Sequence, residues 1–421
     1  MKSDYVIIGG GLAGVSTLYE LTRREHEVLL LEEKEDVALE TSFANGGMLT
    51  PSMADPWNSP GIAKHLIKSI NNPYSAMKIR LTALPSMTLW GLKFLMNSRP
   101  IKYHSATQAS FELATFSLKR INYLIEELNI QNDHSKNGTM KIFTNDKSYK
   151  EQVKIAEMLK QHGLAYRTLN YDETINIEPL LSNTKEDIIG SIYYEDDGSG
   201  DARLFSKKLA EESLRLGSKI LTNTRVDKII KREDKVTGVK TNNNFITTSN
   251  VIIAAGNYTP FLTRQFGVKP NIKPVKGYSL TFELNGTNQL PHLPVIDDSM
   301  HAAIVPLGKR LRAVGTAELA GYNKSIPNER IDNLKYFFKR LYPELYKKAD
   351  WNNSKLWAGL RPMSSDSLPY IGKINNVEGL WINSGHGHLG WTMSSGSAYL
   401  LADIIEGKNP LINPNPYRVH R

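Results

Sequence analysis

YVIIGGGLAG at residues 5–14, followed eighteen residues after Gly14 by Glu32, decides how the chain begins. Val6, Ile7 and Ile8 are a short apolar β-branched run, the pattern of a buried strand. Gly9, Gly11 and Gly14 then fill a GxGxxG. The first glycine permits a tight turn, the second lets the backbone approach a pyrophosphate, and the third lets the next helix pack on the sheet. That helix would open with free N–H groups and a partial positive charge, both directed at phosphate. Val28, Leu29, Leu30 and Leu31 predict a second strand, and Glu32 at its end can accept a hydrogen bond from a ribose hydroxyl. A lone GxGxxG is weak. One between strand and helix, with an acid at this distance, specifies a dinucleotide site.

At 421 residues the chain is long enough for two or three domains of roughly 150 residues. It has no cysteine, which excludes disulfides, thiolate metal sites and a cysteinyl-linked cofactor, and fits a reducing compartment. No run approaches the roughly 18 apolar residues of a membrane span. Because the first strand starts at about residue 4, no signal peptide is expected.

The net charge of +9 is uneven. Between Asp55 and Glu112 there is no acidic residue, while Lys64, Lys68, Lys78, Arg80, Lys93, Arg99 and Lys102 supply seven positive charges. The rest of the chain therefore nets only +2. Trp57, Trp90, Leu92, Phe94, Leu95 and Met96 share that stretch. Basic residues among large apolar ones suit a surface that meets anionic lipid. An ordinary solvated face is the competing reading, and nucleic acid is not expected.

Apolar periodicity predicts a long helix over 106–129, a helix near 146–162 and another over 202–216. Strands are expected at 139–143, 188–194, 219–222, 251–256, 278–282, 302–305 and 379–383, with a hairpin-like meander between 229 and 245. A last helix over 392–406 would start at a Thr392 N-cap and stop at Gly407. Nucleotide-binding elements thus fall at both ends and in the middle, so the cofactor domain should be discontinuous.

A second GxGxxG, GHGHLG, occupies 385–390. Only 31 residues follow Gly390, with no further strand and no acid to hold a ribose. A second nucleotide does not fit. A helix N-terminus there would instead face the ring of the cofactor held by the first motif, and would stabilise negative charge on a reduced flavin. Without a second nucleotide site, the two-electron donor is expected to be the substrate itself.

Five stretches carry a wider resemblance: VIIGGGLAG at 6–14, ALETSFANGGMLTPSMADPW at 38–57, KPVKGYSLT at 273–281, WAGLRPMSSDSLPYIG at 357–372 and LWINSGHGHLGWTMSSGSAYLLADII at 380–405. In order and spacing the chain resembles the FAD-dependent amino-acid oxidase superfamily, and within it the bacterial D-amino acid dehydrogenase small subunits. The resemblance implies an α/β fold with a discontinuous Rossmann-like FAD-binding domain (1–55, 103–132, 198–261 and 351–421) and an inserted α+β antiparallel-sheet substrate domain (56–102, 133–197 and 262–350). It implies non-covalent FAD. Gly9, Gly11, Leu12, Ala13, Gly14, Glu32 and Glu33 would hold its ADP half. Ser42, Ala44, Asn45, Gly46 and Met48 would lie beside the pyrophosphate and the ring, with Val226 on the adenine side and Gly256 under the cofactor. Gly385, Gly387, Leu389, Gly390, Trp391 and Thr392 would surround the flavin. Arg361 would grip the substrate carboxylate, with Tyr278 as a second contact.

Chemistry supports these roles unevenly. The planar fork of arginine matches a carboxylate bidentately. Tyr278 also reads as an ordinary half-buried strand residue. His386 and His388 invite roles as base or flavin attachment point, but also read as loop residues that position backbone. Glu318 in GTAELAG carries no signal of its own. The reaction implied is hydride transfer from a D-amino acid to FAD, giving an imino acid that hydrolyses to a 2-oxo acid and ammonia. Electrons would pass to a quinone or respiratory acceptor, and the protein would be cytoplasmic or peripheral on the inner face of the membrane. Three other readings stay open: an O2-using oxidase of glycine, sarcosine or a proline derivative, an oxidase of a modified tRNA base, and a flavin-binding protein without turnover.

Overall fold

A computed structural model describes residues 1–63, 77–297 and 299–421. Lys64 and Lys68 of the basic stretch lie outside the described residues.

The apolar runs at the start become the centre of a six-stranded sheet. Tyr5–Ile8 (β1) pairs in parallel with Val28–Leu31 (β2) on one side and with Asn250–Ile253 on the other. The full order is Tyr370–Lys373, Leu380–Ser384, Asn250–Ile253, β1, β2, Lys219–Leu221. The pairs are parallel except the one at the 370–373 edge. Parallel strands must be covered on both faces, which is why they read as continuous apolar runs. Ile7 and Leu30 pack beneath helices Leu12–Thr22 (α1), Pro100–Glu127, Ala202–Arg215 and Ser394–Ile405. Val6, Ile8, Leu29 and Leu31 face the three-stranded meander of Val226–Arg232, Lys235–Thr241 and Phe245–Thr247. Within the helical layer, buried Glu20 of α1 pairs with Arg23, Arg24 and Arg120, and Arg24 continues to Asp403 and Glu406. One acid thereby ties α1 to the 100–127 helix and, through Arg24, to the chain around 403–406.

A second, nine-stranded sheet is mostly antiparallel. Its path runs Lys355–Ser364, Ile272–Glu283, Arg310–Leu319, Ala302–Leu307, Val295–Asp297, Thr139–Phe143, Gly190–Tyr194, Arg167–Leu169, with Met77–Ile79 lying beside 310–319. Helix Asn328–Leu341 covers it with Ile331, Leu334, Phe337, Phe338 and Leu341. The expected α/β unit and its α+β antiparallel companion are both present.

Several elements depart from the sequence reading. The segment 355–364, grouped by sequence with 351–421, is a strand of the second sheet, paired with 272–283 over ten residues. It is an edge strand, so Pro362 costs no ladder bond with a further neighbour. The long helix starts at Pro100, not 106, because proline suits the first helical turn and Arg99 before it is extended. The last helix starts at Ser394, and Thr392 does not cap it. Thr392 Oγ1 instead accepts the Thr50 N–H at 3.0 Å. A helix at Leu84–Met96, unpredicted from the sequence, buries Met87, Trp90 and Phe94.

The β1–α1 turn closes so tightly that a Cβ at Gly14 would overlap the Gly9 carbonyl oxygen. Gly14→Ala should therefore push helix and strand apart and lower the thermal midpoint by several degrees. Gly91, in the 84–96 helix, has open space where a Cβ would go. Gly91→Ala should raise stability by about 0.5–1 kcal/mol. Thermal denaturation of the two variants beside the wild type checks both signs.

Candidate active site

A cavity of about 1060 Å³ opens between the two sheets and takes walls from both. Of the residues singled out by sequence, all but Gly14, Leu389 and Thr392 line it. Gly14 sits behind the turn, Leu389 is buried in the core beneath the helical layer, and Thr392 holds the backbone of Thr50.

At one end the cavity meets the first glycine motif. Gly9 has φ +106°, and a Cβ there would crowd the Ala254 carbonyl. Gly11 caps α1, and the Leu12 N–H donates to Ser42 Oγ at 3.1 Å. Glu32 accepts from the Gly10 and Lys34 N–H groups at 2.6 and 2.8 Å. Burial raises its carboxyl above the usual range against those two bonds. Thr224, Arg225 and Asn257 also form walls, though no motif marked them.

The loop carrying Ala44 and Asn45 is fastened by the second sheet. Ser279 Oγ donates to the Ala44 carbonyl at 2.8 Å and Arg312 Nη1 to the Asn45 carbonyl at 3.1 Å. Asn45 Oδ1 in turn accepts the Gly47 N–H at 3.1 Å. Opposite runs the second glycine motif. Strand Leu380–Ser384 leads into Gly385 and Gly387, at φ +87° and +60°, around a short 3-10 turn at Gly387–Leu389. The helix expected from 392 begins at Ser394, after this turn. The cradle fits a dinucleotide with a ring system: glycine-only backbone at both motifs, and a buried Trp391 Nε1 that finds no partner among the described residues.

The far end is cationic. Arg361 projects from strand 355–364 over Gly277, where a Cβ would collide with the guanidinium. Its Nη1 donates to the Thr316 carbonyl at 3.0 Å, and its guanidinium lies 5.6 Å from the Trp57 ring centre. Desolvation alone pushes it down to about 10, so it stays charged at neutral pH. No carboxylate of the described residues pairs with it. Thr316 has φ +69°, costly for a β-branched residue, and so a strained carbonyl sits at the guanidinium.

Tyr278 lines the cavity but turns its hydroxyl away, donating to Glu318 at 2.5 Å. Glu318 is fully buried and also takes Arg80, with Arg330 at 4.0 Å. Burial raises this carboxyl, but the bonds from Tyr278 and Arg80 prevail and hold it below its usual value. Burial and the Glu318 bond raise Tyr278, so it is a neutral donor. Sequence did not mark this network, because its members are spread from 80 to 330.

His386 is buried, its Nε2 3.0 Å from Ser397 Oγ, and burial pushes it down to about 4. It is a neutral ring holding its loop to the last helix. His388 Nε2 donates to the Met53 carbonyl at 3.0 Å, and the ring stacks on Trp57. Met53 follows Ser52, whose Oγ donates to the Asp197 carboxylate at 2.5 Å; Thr139 Oγ1 donates to the same carboxylate at 2.6 Å.

The match to known proteins follows this geometry. The model of the FAD dependent oxidoreductase family covers residues 4–404. The chain belongs to that family. It is 34% identical over 408 residues to the D-amino acid dehydrogenase of Granulibacter bethesdensis, covering 97% of each chain. It is 33% identical over 416 residues to the protein of that name from Rhizorhabdus wittichii, covering 99% of each. Among solved structures, glycine oxidase from Bacillus cereus superposes with a TM-score of 0.76 at 26% identity, over 100% of this chain and 99% of that one. Glycine oxidase from Geobacillus kaustophilus superposes with a TM-score of 0.79 at 22% identity, with the same coverage. The cofactor of this FAD-dependent oxidoreductase is therefore FAD, and the cradle described above is shaped to take it.

Arg361→Ala should weaken binding of a carboxylate ligand by about 10- to 150-fold and leave FAD in place. Arg361→Lys should recover part, because an ammonium cannot reproduce the fork. Gly277→Ala should mimic the loss by displacing the guanidinium. Benzoate titration followed by the flavin spectrum reads all three; unchanged affinity would place the carboxylate elsewhere.

Burial raises Asp197 to about 7 against its hydrogen bonds. A raised folded value means stability present at low pH is lost as pH climbs from the ordinary 3.8 to about 7. The ceiling is about 4 kcal/mol. Asp197→Asn stays neutral, so its melting temperature should fall less over that range than the wild type's. Parallel curves would show that Asp197 does not titrate there.

Proposed function

We propose that this flavoenzyme oxidatively deaminates D-amino acids to 2-oxo acids and ammonia, and passes the electrons to a quinone or respiratory acceptor from a peripheral site on the inner membrane face. The observation that carries the reading is Arg361, a charged guanidinium without a carboxylate partner at the far end of an FAD cavity. A partly buried cation left in that state favours an anionic ligand. The curated relatives named D-amino acid dehydrogenase supply the substrate class.

Arg361 holds the substrate carboxylate, and its bond to the Thr316 carbonyl fixes the direction of the fork. The Trp57 ring stands beside the guanidinium. Bound FAD supplies the hydride acceptor for the α-hydrogen. Alignment by Arg361 and the walls turns the encounter into an intramolecular one. Tyr278, neutral and anchored by Glu318, offers a fixed polar wall and not a base. His386 and His388, both near 4, are neutral at working pH, so the amine must arrive unprotonated or lose its proton to solvent. Activity should therefore rise with pH toward the substrate amine's own titration. The imino acid leaves and hydrolyses in water.

Acid precipitation should release FAD into the supernatant; colour left in the pellet would point to a histidyl link at His386. Under anaerobic conditions D-amino acids should bleach the flavin and their L-enantiomers should not. The reduced enzyme should react slowly with O2 and rapidly with a quinone analogue. Bleaching by L-amino acids or glycine alone, or fast reoxidation by O2, would overturn the corresponding part of the assignment.

A further inference from the structure

The 84–96 helix is apolar on both sides. Its inward stripe, Met87, Trp90 and Phe94, packs on Val275 and Met363 of the second sheet. Its outward stripe is also apolar: Leu89, Leu92 and Met96 are 66%, 57% and 53% exposed, with Leu84 and Leu95 beside them. Ile101, just beyond, is 86% exposed. A surface helix normally turns a polar face to water. The sequence expectation that Trp90 and Phe94 would meet lipid is corrected here, because both are core residues.

The charges carried by the stripe's own stretch of chain are all of one sign. Lys93, Arg99 and Lys102 are exposed, and no acid occurs between Asp55 and Glu112. Lys102 reaches only the Asn97 amide oxygen at 3.3 Å. By contrast Lys78 pairs with Glu329 at 3.7 Å and Arg80 with Glu318, so those two are engaged within the fold. Exposed leucines ringed by unneutralised cations match an anionic bilayer surface, where apolar groups enter the headgroup boundary and cations meet lipid phosphates.

We infer that the outward face of the 84–96 helix, with Ile101, Arg99 and Lys102, is the surface on which this enzyme docks to anionic lipid. The inference deepens the proposed membrane-linked electron transfer and rests on it. The docking helix is also fixed to the substrate strand. Trp90 Nε1 donates to the Met363 carbonyl at 3.0 Å, Asn97 Nδ2 to the Ser365 carbonyl at 3.2 Å, and Asn58 Nδ2 to the Phe94 carbonyl at 3.3 Å. Met363 is two residues from Arg361 on the same strand. The lipid-facing element thus lies directly behind the wall that binds the carboxylate.

Sedimentation of the full-length holoenzyme with phosphatidylglycerol vesicles, and with pure phosphatidylcholine vesicles, tests this. Wild type should bind the anionic vesicles at low salt and keep a bound fraction at high salt. Leu89→Ser/Leu92→Ser should lose the salt-resistant fraction. Lys93→Glu, Arg99→Glu and Lys102→Glu should each weaken low-salt binding by about five-fold or more. All variants should turn over normally with a soluble dye, since none lines the cavity. Equal sedimentation of wild type and variants overturns the inference. So does a wild-type dimer in analytical ultracentrifugation that Leu89→Ser/Leu92→Ser dissociates, because a second copy would then cover the stripe. Flavin bleaching is read separately: bleaching by D-amino acids with unaffected vesicle binding sinks the docking surface alone, and helix-dependent vesicle binding without bleaching sinks the substrate assignment alone.

Discussion

The approach of α1 to β1 at Gly14 is the contact on which the architecture turns. No side chain fits between the Gly14 α-carbon and the Gly9 carbonyl, nor between Gly9 and the Ala254 carbonyl of the neighbouring strand. Three backbone segments therefore meet without intervening atoms, and the start of α1, whose Leu12 N–H is held by Ser42 Oγ, faces the cavity end. The helix dipole favours a phosphate there whatever lies further along the ligand. The loop of Ala44 and Asn45, held by Ser279 and Arg312, carries that alignment across to the second sheet.

At the other end the governing fact is a charge that the protein does not neutralise. Other cations of the fold are matched, Arg312 with Asp201 and Arg24 with Glu20, Asp403 and Glu406, whereas buried Lys276 bonds the Ser325 carbonyl. Arg361 has a carbonyl and an aromatic face but no acid. Desolvation lowers the pKa of that guanidinium, and the left-handed Thr316 stands beside it. Two residues along the strand from Thr316, the Glu318 carboxylate is engaged by Tyr278 and Arg80 and does not pair with Arg361.

The legible parts of the sequence were those where a local pattern had one physical cause. The β1 run, the glycine turn, β2 with Glu32, and strand 139–143 follow from burial on both faces or from backbone space, and each stands where the pattern places it. Arg361 was legible through motif resemblance, yet its strand was not, because proline at 362 and glycine at 359 disguise an edge strand as a loop. Strand 310–319 and helix 328–341 were unmarked in a region of mixed patterns. The 84–96 helix was hidden for a different reason: apolar residues on both sides erase the 3.6-residue alternation that announces a surface helix. Glu318 was invisible since its partners Arg80, Tyr278 and Arg330 are joined only by the fold. Thr392 misled because threonine before a helix satisfies two donors equally well, its own helix's or another segment's, and here Thr50 is the one it serves.

The cavity has no local version. Its walls come from residues near 9, 42, 256, 277, 361 and 385, and β1 itself completes its pairing only when 250–253 arrives. Contacts of such sequence separation must be made together, since each loop closure precedes its reward. A ligand that bridges both sheets and binds only the assembled state adds RT ln(1 + [L]/Kd) to stability. With walls from both sheets, the cavity would make bound FAD a link between them as well as a redox group.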